Sequence, residues 1–162
     1  MSTRKVCIIT GADNTGKTRC IKEIAKRLEG KNYKYNNLLY TKTGSSTLNH
    51  NTNAPITNDD IFGYFVGSFD TIGILSAGDG NGKDEITKCL NLLDEFQPDI
   101  IICAAREYPG NSDIQTDIKN QYPKAQPIPI SMNKLDSFST PKEKEEEVDR
   151  IFSEVITAIR GF

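Results

Sequence analysis

Gly11-Ala12-Asp13-Asn14-Thr15-Gly16-Lys17-Thr18 is the stretch on which the reading of this chain turns. An apolar run, Val6-Cys7-Ile8-Ile9, comes just before it. Ile21, Ile24, Ala25 and Leu28 follow it at spacings of three and four. The run predicts a buried strand over Lys5 to Thr10, and the spacing predicts a helix over Lys17 to Leu28. Gly30 is placed to close that helix as a C-cap. Gly11 lets the chain turn sharply out of the strand, and Gly16 allows backbone that a Cβ would obstruct. The N–H groups of such a turn can converge into an anion nest. A helix starting near Lys17 adds its free N–H groups and the positive end of its dipole.

The octapeptide fits the pattern G-x-x-x-x-G-K-[ST], with a strand before it and a helix after it. On these residues the chain resembles the P-loop NTPases. The resemblance covers only the first strand, the loop and the first helix. It implies a nucleoside triphosphate held with Mg²⁺. The backbone of Gly11, Ala12, Asp13, Asn14, Thr15, Gly16, Lys17 and Thr18 would form the cradle. Lys17 would reach the β and γ phosphates as a catalytic charge, and the Thr18 hydroxyl would be a metal ligand. Neither the acceptor nor the reaction is specified by these residues.

Further along, Leu38 to Lys42 is a short strand candidate, and Thr43 to Asn58 reads as a polar, mobile loop. Asp60 to Val66 and Thr71 to Ser76 flank Gly67-Ser68-Phe69-Asp70 and suggest a β-hairpin. A helix is expected from about Gly82 to Phe96, ended by Pro98, and a shorter one over Ser112 to Tyr122. Ile100 to Ala104 is the clearest buried strand. Pro127 to Ser131 reads as an edge strand because of its prolines. Thr140-Pro141-Lys142-Glu143 combines a capping box with a proline in the first turn. Val148, Ile151, Phe152, Val155, Ile156 and Ile159 continue as one apolar face. Strands alternating with helices imply an α/β fold. The expectation is a three-layer α/β/α P-loop sandwich, its sheet mainly parallel with an antiparallel hairpin strand, in one domain over residues 1–162.

Composition narrows the function classes. With 20 basic and 22 acidic residues and a net charge of −2, no broad nucleic-acid surface is indicated. No apolar run approaches a membrane span and no signal peptide is evident, so the expected location is cytoplasmic. Cys7, Cys20, Cys89 and Cys103 form no C-x-x-C pair, and the single histidine is His50. Buried free thiols are the expected state, not a metal site.

A P-loop also needs an acidic partner for Mg²⁺. Asp79 follows Ile72-Gly73-Ile74-Leu75-Ser76 and is the candidate for the metal and for catalysis; its alternative role is capping the next helix or shaping a turn through Gly78 and Gly80. Gly78 to Lys83 looks like a second phosphate loop, but it is one residue short and reads as a turn. Arg106 is expected in the loop after the strand that ends at Ala104. It could contact phosphates, stack on the base, or pair with an acid such as Glu107. Asn133-Lys134-Leu135-Asp136 spells N-K-x-D, and Asp70-Thr71-Ile72-Gly73 spells D-x-x-G; together they resemble a small GTPase. Against that, Asp70 precedes its apolar run, and one helix takes most of the chain after Asp136.

The leading expectation is a Mg²⁺-dependent ATP-binding protein, an NTPase or small-molecule kinase, acting on water or a small acceptor. A GTPase-like switch and a non-catalytic nucleotide-binding module are the alternatives. Neither a nucleic-acid nor a membrane partner is expected.

Overall fold

The run from Val6 to Ile9 is apolar at every position because both of its faces are covered. Cys7 and Ile9 enter one hydrophobic core, and Val6 and Ile8 enter another. The same alternation runs along the neighbouring strand, with Ile100, Ile102 and Ala104 in the first core and Ile101 and Cys103 in the second. A strand buried on both sides reads as a continuous apolar run. The computed structural model describes residues 3–11, 17–40, 46–51, 62–76, 90–91, 93–106, 118–132 and 140–160.

Among the described residues, seven strands form one sheet: β1 (Lys5–Gly11), β2 (Lys34–Tyr40), β3 (Ser46–Asn51), β4 (Phe62–Val66), β5 (Thr71–Leu75), β6 (Ile100–Arg106) and β7 (Gln126–Ser131). Their order across the sheet is β3-β2-β4-β5-β6-β1-β7. The pairs β5–β6, β6–β1 and β1–β7 are parallel. The pairs β3–β2, β2–β4 and β4–β5 are antiparallel. The chain is therefore α/β with a mixed sheet. The hairpin expected around residues 67–70 is β4–β5. The antiparallel part extends further than one hairpin strand, because β2 and β3 join it.

The helix α1 (Lys17–Glu29) begins at the lysine of the glycine-rich stretch. Its Cys20, Ile21, Ile24, Ala25 and Leu28 pack into the first core. The final helix α2 (Pro141–Arg160) lies on the same face through Val148, Ile151, Val155 and Ile159. Leu90, Leu93, Ile118 and Tyr122, from helical residues at 90–91, 93–94 and 118–121 and the residue after, fill the opposite face. The expected N-cap of α2 is in place, with Glu143 N–H donating to Thr140 Oγ1 at 3.1 Å.

Four expectations need correction. The stretch Thr43 to Asn58 is not simply a loop, since β3 runs through it. An edge strand needs only main-chain pairing, so its polar composition gave no periodic signal. The strand expected over Leu38 to Lys42 runs earlier, over Lys34–Tyr40. Gly30 follows α1 but does not supply the left-handed residue; Asn32 does, with φ of 70°. Asparagine tolerates that conformation better than most residues. Arg106 is the last residue of β6 and not part of the following loop.

The prolines of β7 do face outward from the sheet. Gln126 N–H donates to the Arg4 carbonyl and Met132 N–H to that of Thr10, both at 2.8 Å. By the period of two, residues 127, 129 and 131 face away from β1. Pro127 and Pro129 thus remove outward donors from this edge at no cost to the ladder.

Candidate functional site

The connections leaving the parallel strands divide between the two faces. After β1 and β7 the chain enters α1 and α2, which share the core of Cys7 and Ile9. After β5 and β6 it next reaches Leu90, Leu93 and then Ile118, Tyr122, in the core of Val6 and Ile8. β1 and β6 are adjacent and parallel, and the chain leaves them to opposite faces. This is a topological switch point. In open α/β sheets the crevice at the carboxyl ends of such strands is where ligands bind.

The glycine-rich stretch starts at this crevice. Gly11 is the last residue of β1 and stands opposite Arg106, the last residue of β6. α1 then begins at Lys17. The structure therefore brings the main chain of Gly11, Lys17 and Thr18 and that of Arg106 to one edge of the sheet. Residues 12–16, Asp79 and Asn133 to Asp136 lie outside the described residues, as do the side chains of Lys17, Thr18 and Arg106. β5, from which the chain runs on to Asp79, is two strands from β1, a separation of about 9.5 Å at ordinary strand spacing. Among the described residues, no group of three His, Cys, Asp or Glu could hold a metal ion.

On the other side of β1, a set of polar groups that the sequence reading did not single out ties the strand ends together. Thr10 stands opposite Ser131 on β7, their hydroxyl oxygens 3.4 Å apart. Arg150, from the third turn of α2, donates through Nη2 to the Ser131 carbonyl at 2.7 Å. Its Nε donates to Glu147 Oε1 at 2.8 Å, and Nη2 also binds that oxygen. The Glu147 side chain is 5% exposed and that of Arg150 is 40% exposed. Glu147 and Arg150 also border Cys20 on α1 electrostatically. Burial, then Glu147, push the Cys20 thiol up to about 12. A thiol held protonated there is not a nucleophile. The sequence offered only the helical spacing of Glu147, Arg150 and Glu154; the reach to β7 is tertiary.

The GTPase-like D-x-x-G match does not converge on this edge. Asp70 precedes β5, and Ile72, Ile100 and Lys5 share a level near the strand starts. Gly11 is six residue steps beyond Lys5 along β1, so Asp70 is roughly 20 Å from the crevice. Its Oδ1 accepts a 2.8 Å hydrogen bond from the Tyr33 hydroxyl. Gly73 is a packing glycine, since a Cβ there would meet Ile101 Cδ1 at 2.8 Å. A cavity of about 110 Å³ bordered by Val6, Tyr122 and Pro127 also sits toward the strand starts, away from Gly11.

No protein-family model matches the chain, and no curated protein matches it. The crystal structure of APE1195 aligns with 99% of this chain and 74% of its own, at 13% identity and a TM-score of 0.39. A likeness that loose carries neither fold nor function.

No described helix is long and apolar enough to cross a membrane. The described thiols, Cys7, Cys20 and Cys103, are all free and buried, as expected.

Proposed function

We propose that this chain binds a Mg²⁺–nucleoside triphosphate, ATP in the first instance, at the carboxyl edge between β1 and β6. The fold is then a three-layer P-loop sandwich, with α1 and α2 on one face and the helical residues at 90–91, 93–94 and 118–121 on the other. The observation that carries the reading is the position of Gly11 at the switch point, with α1 starting at Lys17. A phosphate chain there meets main-chain donors and the positive end of a helix dipole.

The chemistry is phosphoryl transfer to water or to a small acceptor. Gly11 to Thr18 would cradle the phosphates, and Lys17 would neutralise charge on the transferring group. Thr18 and Asp79 supply hydroxyl and carboxylate oxygens, the hard donors that suit Mg²⁺, directly or through water. Arg106 shares the edge through its main chain, and its side chain would contact the phosphates or the base. The second reading, guanine binding by Asn133 to Asp136, draws support from one observation: β7, which precedes that segment in the chain, adjoins β1. A module that binds without turnover uses the same cradle.

The test is a thermal-shift titration with ATP, GTP and their diphosphates, with and without Mg²⁺. A ligand at a hundredfold excess over its Kd stabilises the native state by about 2.7 kcal/mol. A Mg²⁺-dependent shift with ATP, abolished in Lys17→Ala, is the expected outcome. A shift with GTP alone transfers the reading to Asn133–Asp136. An unchanged shift in Lys17→Ala, or none with any nucleotide, removes it.

A further inference from the structure

We infer that Arg150 is a positioning residue for the nucleotide loop, acting through the carboxyl ends of β7 and β1; the inference rests on the nucleotide reading above. The path is continuous. Glu147, buried on α2, orients the guanidinium through Nε and Nη2. The guanidinium holds the Ser131 carbonyl, the last of β7, at 2.7 Å. Ser131 stands opposite Thr10, and the next residue, Met132, donates its N–H to the Thr10 carbonyl at 2.8 Å. Thr10 immediately precedes Gly11, where the chain leaves the sheet for the loop.

A phosphate cradle works only when its N–H groups are held in place before the ligand arrives. β1 is fixed on one side by β6, up to the pair Gly11–Arg106. On the other side its ladder ends at Thr10–Ser131, on a strand that, among the described residues, pairs with β1 alone. An edge strand has a partner on one side only, so its end frays unless something else ties it down. Arg150 is that tie. It is suited to the task because a planar fork can serve a carboxylate and a carbonyl at once. A lysine can keep the charge beside Glu147 and still lose the second contact.

The experiment measures Mg·ATP affinity by calorimetry in the wild type and in Lys17→Ala, Arg150→Lys and Glu154→Gln, with urea midpoints for each. Glu154 is the control, since it meets Arg150 at 3.4 Å on the exposed side. Arg150→Lys is expected to weaken Mg·ATP at least tenfold with its urea midpoint nearly unchanged, while Glu154→Gln binds as wild type. Wild-type affinity in Arg150→Lys overturns the inference. Should that variant unfold, the double variant Glu147→Gln, Arg150→Gln removes both charges together and leaves no buried charge unpaired; the same loss is expected of it. Hydrogen exchange without nucleotide separates the two readings. Faster exchange confined to Thr10, Gly11 and Met132 in Arg150→Lys supports the tie even if no nucleotide binds, an outcome that would sink only the nucleotide reading. Unchanged exchange there overturns the tie.

Discussion

Two glycines in the sheet show how a single Cβ is felt. Gly63 on β4 lies against β2, and an added Cβ would press on the Asn36 carbonyl oxygen and sit 2.7 Å from the Tyr35 ring. Neither neighbour can yield, because Asn36 is inside the β2–β4 ladder and Tyr35 is in the core. Gly73 on β5 would bring its Cβ to 2.8 Å from Ile101 Cδ1 and 3.3 Å from Leu93. Those are the far ends of side chains, which can rotate. Overpacking costs about 1–3 kcal/mol where the surroundings resist. Gly63→Ala is therefore expected near the top of that range and Gly73→Ala near the bottom, by urea denaturation. The reverse order would mean that the β2–β4 ladder is looser than its register indicates. This contrast also gives Gly73 of the D-x-x-G stretch a packing role, set by Leu93 and Ile101.

Among the elements, α2 was the most legible in the sequence, because both of its signals are local. Its apolar face repeats at helical spacing, and its N-cap is written in four consecutive residues. Thr140 Oγ1 accepts the Glu143 N–H and satisfies a donor that the first turn leaves free. Thr140→Ala is expected to cost about 1 kcal/mol, and Thr140→Ser to restore most of it. Equal urea midpoints for Ala and wild type would show that the cap contributes nothing. At the other end, Lys5 Nζ donates to the Ala158 carbonyl at 2.6 Å, a cation on the negative end of the dipole. That contact spans most of the chain and left no mark in the sequence. Strands β1, β6 and β5 were legible because burial on both faces leaves little room for polar residues. β2 and β3 were not, since Lys34–Tyr40 and Ser46–Asn51 mix polar residues without alternation. The candidate site divides in the same way. Gly11 and Lys17 are given by a contiguous motif, whereas Arg150, Glu147 and Ser131 meet only through packing.

At the scale of the whole molecule, the two cores hold buried thiols and tyrosines, with Tyr33 half-buried against one of them, and this couples stability to alkaline pH. Burial pushes the Cys7 thiol from 9.0 up to about 12. Burial, then the Glu147 carboxylate, does the same to Cys20. Burial and neighbouring Cys7 raise Cys103 as well. Tyr33 rises to about 12 through burial and its hydrogen bond to Asp70. Burial also raises Tyr35 and Tyr122, the latter helped by Asp94. All are neutral when protonated, and all hold their protons more tightly folded than unfolded. Below pH 9 both states keep the thiol protons, so the thiols add no slope. Above it the unfolded chain releases them first, and stability falls as pH rises toward 12. Each thiol contributes about 1.4 kcal/mol per pH unit over that interval. Urea midpoints are thus expected to drop steadily from pH 9 to pH 11, and Cys20→Ala to reduce the slope. A midpoint at pH 10.5 equal to that at pH 8 would mean that the cores admit water or hydroxide well before unfolding. The same burial predicts that Cys7, Cys20 and Cys103 resist a thiol reagent at neutral pH until urea opens the sheet. A drop in midpoint without delayed labelling would trace the alkaline loss to the tyrosines, leaving the thiols accessible.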